Sequence, residues 1–367
     1  MIEKPSPPSG SEPSRRREFA FRAVLVLFSL GVTMLFAEAA LRLAVPSPAA
    51  AVAEEDDGFS FFTYDERLGW DLVPGTADRH QSSEFDVTIR INSHGLRSDR
   101  EYALEKSPGT QRIVVIGDSF LFGHGVDAAE ALPALLESRL DGSEVINLSV
   151  TGYGTDQQLL RLQEQGFRWN PDIVLLGLFE GNIFRNARTE YLGYPKPRFV
   201  QRGGSLELIN VPVPEEPSRP GFLQRTRLWQ LFGGRGADLL EHLGFGEAWP
   251  TSRAILTRLR DVCAENGSEL RVVVLPKDQA VYGSGLRRAV HDRALAKIDR
   301  MLEDLDIEHL DLTAPLVDAA AQGQPLYFPL DGHWTAEAHR VAAREVAEWL
   351  AASSAFTAAH SLNESQD

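Results

Sequence analysis

Apolar residues follow two rhythms along this chain. From residue 112 onward, apolar-rich runs at 112–117, 144–150, 172–179, 269–276 and 307–312 alternate with stretches near 128–140, 155–167, 251–266, 286–304 and 336–352. In those stretches apolar positions recur every three to four residues. The apolar-rich runs predict strands buried on both faces, and the spaced stretches predict helices with one apolar side. Their alternation implies βαβ units, hence a parallel sheet with helices on both faces. Earlier, residues 59–105 show period two, clearest in Phe85-Asp86-Val87-Thr88-Ile89-Arg90-Ile91, which predicts a small β element ended by Asn92-Ser93-His94-Gly95. The rhythm breaks once. Residues 185–250 are rich in Pro, Gly and Arg, with an expected hairpin at Gly203-Gly204 pairing 198–200 with 206–211. So long an insertion is expected to be functional or a lid. A small, polar tail is expected to fray after residue 353.

The first 60 residues form a separate object. Residues 1–18 include the Pro/Ser-rich run 5–14 and read as a disordered tail closed by Arg15, Arg16 and Arg17. The segment 19–45 is long and apolar enough to cross a bilayer, with Arg22, Glu38 and Arg42 near its ends. Arginines before it and Glu54-Glu55-Asp56-Asp57 after it predict an inside amino terminus and an outside bulk, joined by a linker at 46–58. The alternatives are a cleaved signal peptide, with Ala37-Glu38-Ala39 as a cleavage site, and a buried soluble helix. Arg16-Arg17-Glu18-Phe19 also has a weak twin-arginine look. Anchor and signal alike place the remainder outside the cytoplasm.

Composition narrows the partners. A net charge of −15 argues against nucleic acid and anionic membrane surfaces, both polyanions. Cys263 is the single cysteine, so neither an intrachain disulfide nor a cysteine-based zinc site can form. No cofactor is implied, and no metal site; Asp118 with Asp331 would be a bare carboxylate pair without histidine-rich support.

The first run ends in Gly117-Asp118-Ser119-Phe120, placing a serine where open α/β sheets keep their chemistry. A serine hydroxyl needs a base within reach and an acid to orient that base. Asp331-Gly332-His333-Trp334, just before the last helix, supplies both on the same sheet edge. The plainer readings are a strand-end turn for Ser119, a helix-start residue for His333 and a turn former for Asp331. Two further strand ends aim at this edge, at Thr151-Gly152-Tyr153-Gly154 and Glu180-Gly181-Asn182. Backbone N–H groups of Ser119 and Gly152 with the Asn182 amide would make an oxyanion hole, against readings as a turn and a cap. Glu180 reads as a solvated or capping carboxylate and His124 as a loop residue. His94, Asn92 and Arg97 read as structural, and Trp334 packs by default or stacks on a sugar. Glycoside cleavage by paired acids ranks low, with only Asp331 and Glu180 available.

In order, Gly117-Asp118-Ser119-Phe120, Gly152, Gly181-Asn182 and Asp331-Gly332-His333 resemble the blocks of the SGNH/GDSL hydrolase family over residues 110–352. The nearest likeness is to its membrane-anchored bacterial members, with the catalytic domain at 106–353. The resemblance implies a flavodoxin-like three-layer α/β/α sandwich. It further implies Ser119 as nucleophile and oxyanion donor, Gly152 and Asn182 as the other donors, His333 as base and Asp331 as its acid. Two positions depart from the family pattern. Ile183 follows Asn182 where many members carry Asp, and Leu330 stands three before His333, where the acid is usual. The Asp-x-His-Trp form resembles the SGNH-like domains of alginate-type O-acetyltransferases. The expected activity is therefore an extracytoplasmic serine esterase that removes O-acyl, above all acetyl, groups from carbohydrate or cell-envelope substrates. A polysaccharide O-acyltransferase with the same residues and a non-catalytic polysaccharide-binding protein are the alternatives.

Overall fold

The computed structural model describes residues 15–44, 60–217, 226, 228 and 246–352. Residues 1–14 of the tail expected at 1–18, the tail at 354–367, the linker at 46–58 and most of 218–245 lie outside the described residues, whereas residues 15–18 are helical and not part of a disordered tail. One unit holds helix α1 (Arg15–Ala44), 30 residues long, within which an 18-residue stretch reaches a mean hydropathy of 2.2. At 1.5 Å per residue α1 is about 45 Å long, enough to cross a bilayer.

The second unit is built on five parallel strands, β1 (Gln111–Ile116), β2 (Ser143–Asn147), β3 (Ile173–Phe179), β4 (Glu269–Leu275) and β5 (His309–Asp311). Their order is β2-β1-β3-β4-β5, all pairs parallel, with Ile113 opposite Val145 and Ile173, and Val272 opposite Leu176 and His309. This is the flavodoxin-like order, in which the direction of winding reverses beside β1. Alternate residues of β1 feed separate cores. Val114 and Ile116 join Leu159, Ile255 and Ile298 on one face, while Ile113 and Val115 join Leu136, Leu316 and Val346 on the other. Those partners lie on flanking helices: α3 (Leu132–Glu137), α4 (Thr155–Arg161), α6 (Ala248–Glu265), α8 (Gly285–Asp304), α9 (Thr313–Ala321) and α10 (Ala336–Ala351). Three short helices, α2 (Ser119–Phe122), α5 (Glu180–Arg185) and α7 (Asp278–Val281), follow the ends of β1, β3 and β4.

The small β element consists of two antiparallel hairpins, Phe62–Asp65 with Gly69–Leu72 and Ala77–Gln81 with Asp86–Arg90. The insertion carries two more, Glu190–Tyr191 with Tyr194–Pro195 and Arg198–Arg202 with Ser205–Ile209; the second closes at Gly203-Gly204 as expected. Its start is pinned. The Lys196 ammonium, fully buried, pairs with the buried Asp156 of α4 and donates to Pro197 O (2.9 Å) and Arg188 O (3.2 Å). Burial pushes the Asp156 carboxyl up and the Lys196 amine down, each opposed by the other's charge. The described part of the insertion is thus tied to α4 at Lys196.

Candidate active site

β1 delivers Ser119 through a turn that its own neighbours dictate. Gly117 has no room for a side chain, because a Cβ there would stand 2.9 Å from Leu121 Cβ. Asp118 caps α2 by accepting the Phe120 N–H at 3.1 Å. The other Asp118 oxygen, fully buried, takes Arg185 Nη1 at 2.8 Å and Asn182 Nδ2 at 3.2 Å. Ser119 therefore stands on a charge-compensated floor. Helix α2 ends after one turn at Gly123 (φ 84°), and the His124 N–H returns to Ser119 O at 3.0 Å.

The His333 loop closes over the serine from the far end of the chain. Phe328 N–H donates to His333 O (2.9 Å) and Gly332 N–H to Phe328 O (2.8 Å), a tight turn with Gly332 at φ 82°. His333 Nε2 lies 2.7 Å from Ser119 Oγ, and its Nδ1 lies 2.6 Å from Asp331 Oδ1. The serine, imidazole and carboxylate expected from the sequence stand in one line. Trp334 is fully buried against Phe120, ring centroids 5.3 Å apart, so it packs and does not face a ligand.

Asp331 has a second imidazole that the sequence left as a loop residue. His124 Nε2 lies 3.2 Å from Asp331 Oδ2, and the two histidine rings sit 4.2 Å apart, tilted by 33°. Burial pushes the Asp331 carboxyl up, but the bonds from His124 and His333 outweigh it and hold it well below the usual carboxylate range. Burial likewise lowers the His124 imidazole, against the pull of Asp331.

Residues 235–366, which include Asp331 and His333, match the family description "SGNH hydrolase-like domain, acetyltransferase AlgX". Over those residues the chain is similar to that SGNH hydrolase-like domain. No curated protein matches it significantly. Among solved structures, the acetyl xylan esterase AlAXEase is 12% identical, covering 66% of this chain and 100% of its own, with a TM-score of 0.42. A catalytic mutant of the acetylxylan esterase Axe2 from Geobacillus stearothermophilus is 14% identical over 66% and 94%, with a TM-score of 0.40. A G-D-S-L family lipolytic protein from Veillonella parvula is 11% identical over 65% and 97%, also with a TM-score of 0.40.

In this site the three expected oxyanion donors fare differently. The Ser119 and Gly152 N–H groups make no hydrogen bond to other described residues. Gly152 (φ 84°) sits in a turn tied to the nucleophile turn by Val150 N–H to Gly117 O, 3.2 Å. Asn182 differs from expectation. It is fully buried, and its amide hydrogens go to Asp118 and to Tyr153 O (3.0 Å), while its oxygen accepts the Phe179 N–H (2.8 Å). Those bonds make it a clamp between three strand ends. Glu180 also departs from the solvated reading. It is buried, with Oε1 held by His291 Nδ1 (2.8 Å) and Lys277 Nζ (3.0 Å). Burial raises its carboxyl, and those two partners more than offset it, leaving it below its ordinary value.

The residues read as structural behave so. Arg97 is buried and donates to Phe122 O (2.6 Å) and Val126 O (2.5 Å), Asn92 braces its own turn, and the His94 ring packs on Trp169. For a metal, Asp118 and Asp331 do not converge; Asp118 is committed to Arg185. Among the described residues His124, Asp331 and His333 bring ligand atoms within 4.8 Å of one another, but both Asp331 oxygens already face ring nitrogens.

Proposed function

We propose that this protein is a serine acyl-transfer enzyme that acts on O-acylated, above all O-acetylated, carbohydrate or cell-envelope substrates outside the cytoplasm. The observation that carries the reading is the line Ser119 Oγ–His333 Nε2–Asp331, at 2.7 and 2.6 Å, on the carboxyl edge of the sheet. Ser119 Oγ attacks the acyl carbonyl as His333 Nε2 takes its proton, and Asp331 stabilises the imidazolium. The unoccupied N–H groups of Ser119 and Gly152 supply oxyanion donors; Asn182 joins them only by releasing Asp118 or Tyr153. His333 returns the proton to the departing sugar oxygen, leaving Ser119 acylated. Water, deprotonated by the same base, then releases the acid. The acetyl group follows from the acetyltransferase named in the matched family description.

That same match favours a second reading, in which a sugar hydroxyl takes the place of water and the acyl group is transferred. Helix α1 supports a membrane anchor, and the arginines before it support an outward-facing domain. The test is turnover of an aryl acetate by the full-length chain. Ser119→Ala should abolish it, and undiminished turnover would refute both readings. Product analysis with an oligosaccharide acceptor separates ester hydrolysis from transfer.

A further inference from the structure

Asp331 lies only two residues before His333, and such spacing leaves the carboxylate on the same short turn as the base it must orient. A turn of this kind holds a catalytic geometry only if something outside it fixes the backbone. Leu330, in the usual place of the acid, is 81% exposed and contributes no packing. What holds the turn comes from the opposite end of the domain. Glu84, at the tip of the hairpin formed by Ala77–Gln81 and Asp86–Arg90, accepts the Leu330 N–H at 3.0 Å and the Asp331 N–H at 2.8 Å. Its neighbour Phe85 packs on Phe328, which opens the His333 loop, ring centroids 5.3 Å apart. The same hairpin sets the rings of His80 (4.6 Å) and Phe85 (5.3 Å) edge-on to the His124 ring. Held so, His124 fixes Asp331 Oδ2, leaving Oδ1 for His333.

We propose that Glu84 and His124 are positioning residues for the Ser119–His333–Asp331 line, so that the small β element is part of the catalytic machinery. This rests on the reading of Ser119 as nucleophile. Glu84 fixes the backbone of the turn and His124 fixes the rotation of the carboxylate, so both Asp331 oxygens and the Asp331 amide have defined partners. Preorganisation of this order is worth one to two powers of ten in rate, because small displacements of a base are costly. The ionisable groups around His333 are Asp331 on its own turn, Glu84 and His80 from the hairpin, His124 after α2, Arg97 behind the Gly123 turn and His339 from α10.

The test uses the full-length chain in detergent, with two readouts: the pH profile of aryl acetate turnover, and the titration midpoint of His333 from its ring 15N signals. His124→Ala and Glu84→Ala are each expected to lower kcat about ten- to hundredfold with little change in KM. The His333 midpoint should rise in His124→Ala, because Asp331 is then free to serve His333 alone. It should fall in Glu84→Ala, because a neighbouring negative charge is gone. His124→Gln, which keeps a donor, and Glu84→Gln, which keeps an acceptor, should recover most of the rate. Shifts of opposite sign are not what loosened folding produces. Wild-type kcat and an unmoved midpoint in both alanine variants would overturn the proposal. Failure of a fluorophosphonate to label Ser119 while the midpoints move as expected would instead overturn the nucleophile reading alone.

Discussion

Asp331 and His333 meet at 2.6 Å although only Gly332 separates them. Asp331 Oδ1 also accepts the His333 N–H at 3.1 Å, so one oxygen serves both ring and backbone. In the proposed mechanism Asp331 is the orienting acid in place of the residue one position earlier. Asp331→Asn is expected to lower kcat by on the order of 10⁴-fold, through the wrong imidazole tautomer, with the fold intact by circular dichroism. Adding Leu330→Asp should not restore it, because that side chain points to solvent.

Gly332 stands at φ 82° with open space around the place of a Cβ. Gly332→Ala therefore clashes with nothing and probes backbone strain alone. Denaturant unfolding should show a loss of about 1 kcal/mol, the scale of left-handed strain in an L residue. Turnover should fall further than stability suggests, because relaxing the turn moves Asp331 off His333. Unchanged kcat would show that the turn tolerates both conformations.

Lys196 and Asp156 are both fully buried. Lys196→Ala strands a carboxylate in the interior and should destabilise the chain by about 3–5 kcal/mol, read as a fall in denaturation midpoint. Lys196→Met combined with Asp156→Leu should be less damaging than Lys196→Ala alone, since no charge is then left unpaired. A double variant worse than the single would mean that packing, not charge, holds the insertion.

One buried and two half-buried imidazoles make stability fall on acidification. Burial lowers His80 to about 4 and His339 to about 3, and lowers His124 as well. These groups stay neutral in the fold but take up protons near pH 6.5 once unfolded, so the unfolded chain binds more protons as pH drops. Their contribution is complete above about pH 6.5 and is lost progressively toward pH 4. Melting temperature should decline over that interval, and His339→Gln should flatten the decline. A melting temperature independent of pH from 7 to 4.5 would contradict this assignment.

The strands were legible because burial on both faces leaves an apolar-rich run, clearest in fully buried β3 and weakest in half-buried β5, and each lies within a few residues of expectation. Helices were read less well where local geometry intervenes. The stretch 128–140 is a single 3₁₀ turn at Ala128–Glu130 and a helix only at Leu132–Glu137, broken by extended Ala131. The stretch 155–167 passes from α4 into a π-turn at Leu162–Gly166. Ser119, His333 and Asp331 were readable because each sits at a strand end or helix start whose place the fold fixes. Glu84, His124 and Arg185 were not, because their roles depend on partners 247, 207 and 67 residues away that no local pattern announces. Asn182 was placed on the correct edge, but its amide direction is decided by Asp118 and Tyr153.

The pinned insertion bears on how this enzyme could change its diet. With Lys196 locked into α4, the described part of the insertion keeps its anchor whatever its exposed residues become. Among the described residues, the hairpin tips Leu192-Gly193 and Gly203-Gly204 are exposed, and residues there can be exchanged without disturbing the buried pair. A lineage carrying this scaffold would diversify by retouching those tips, leaving the buried anchor untouched.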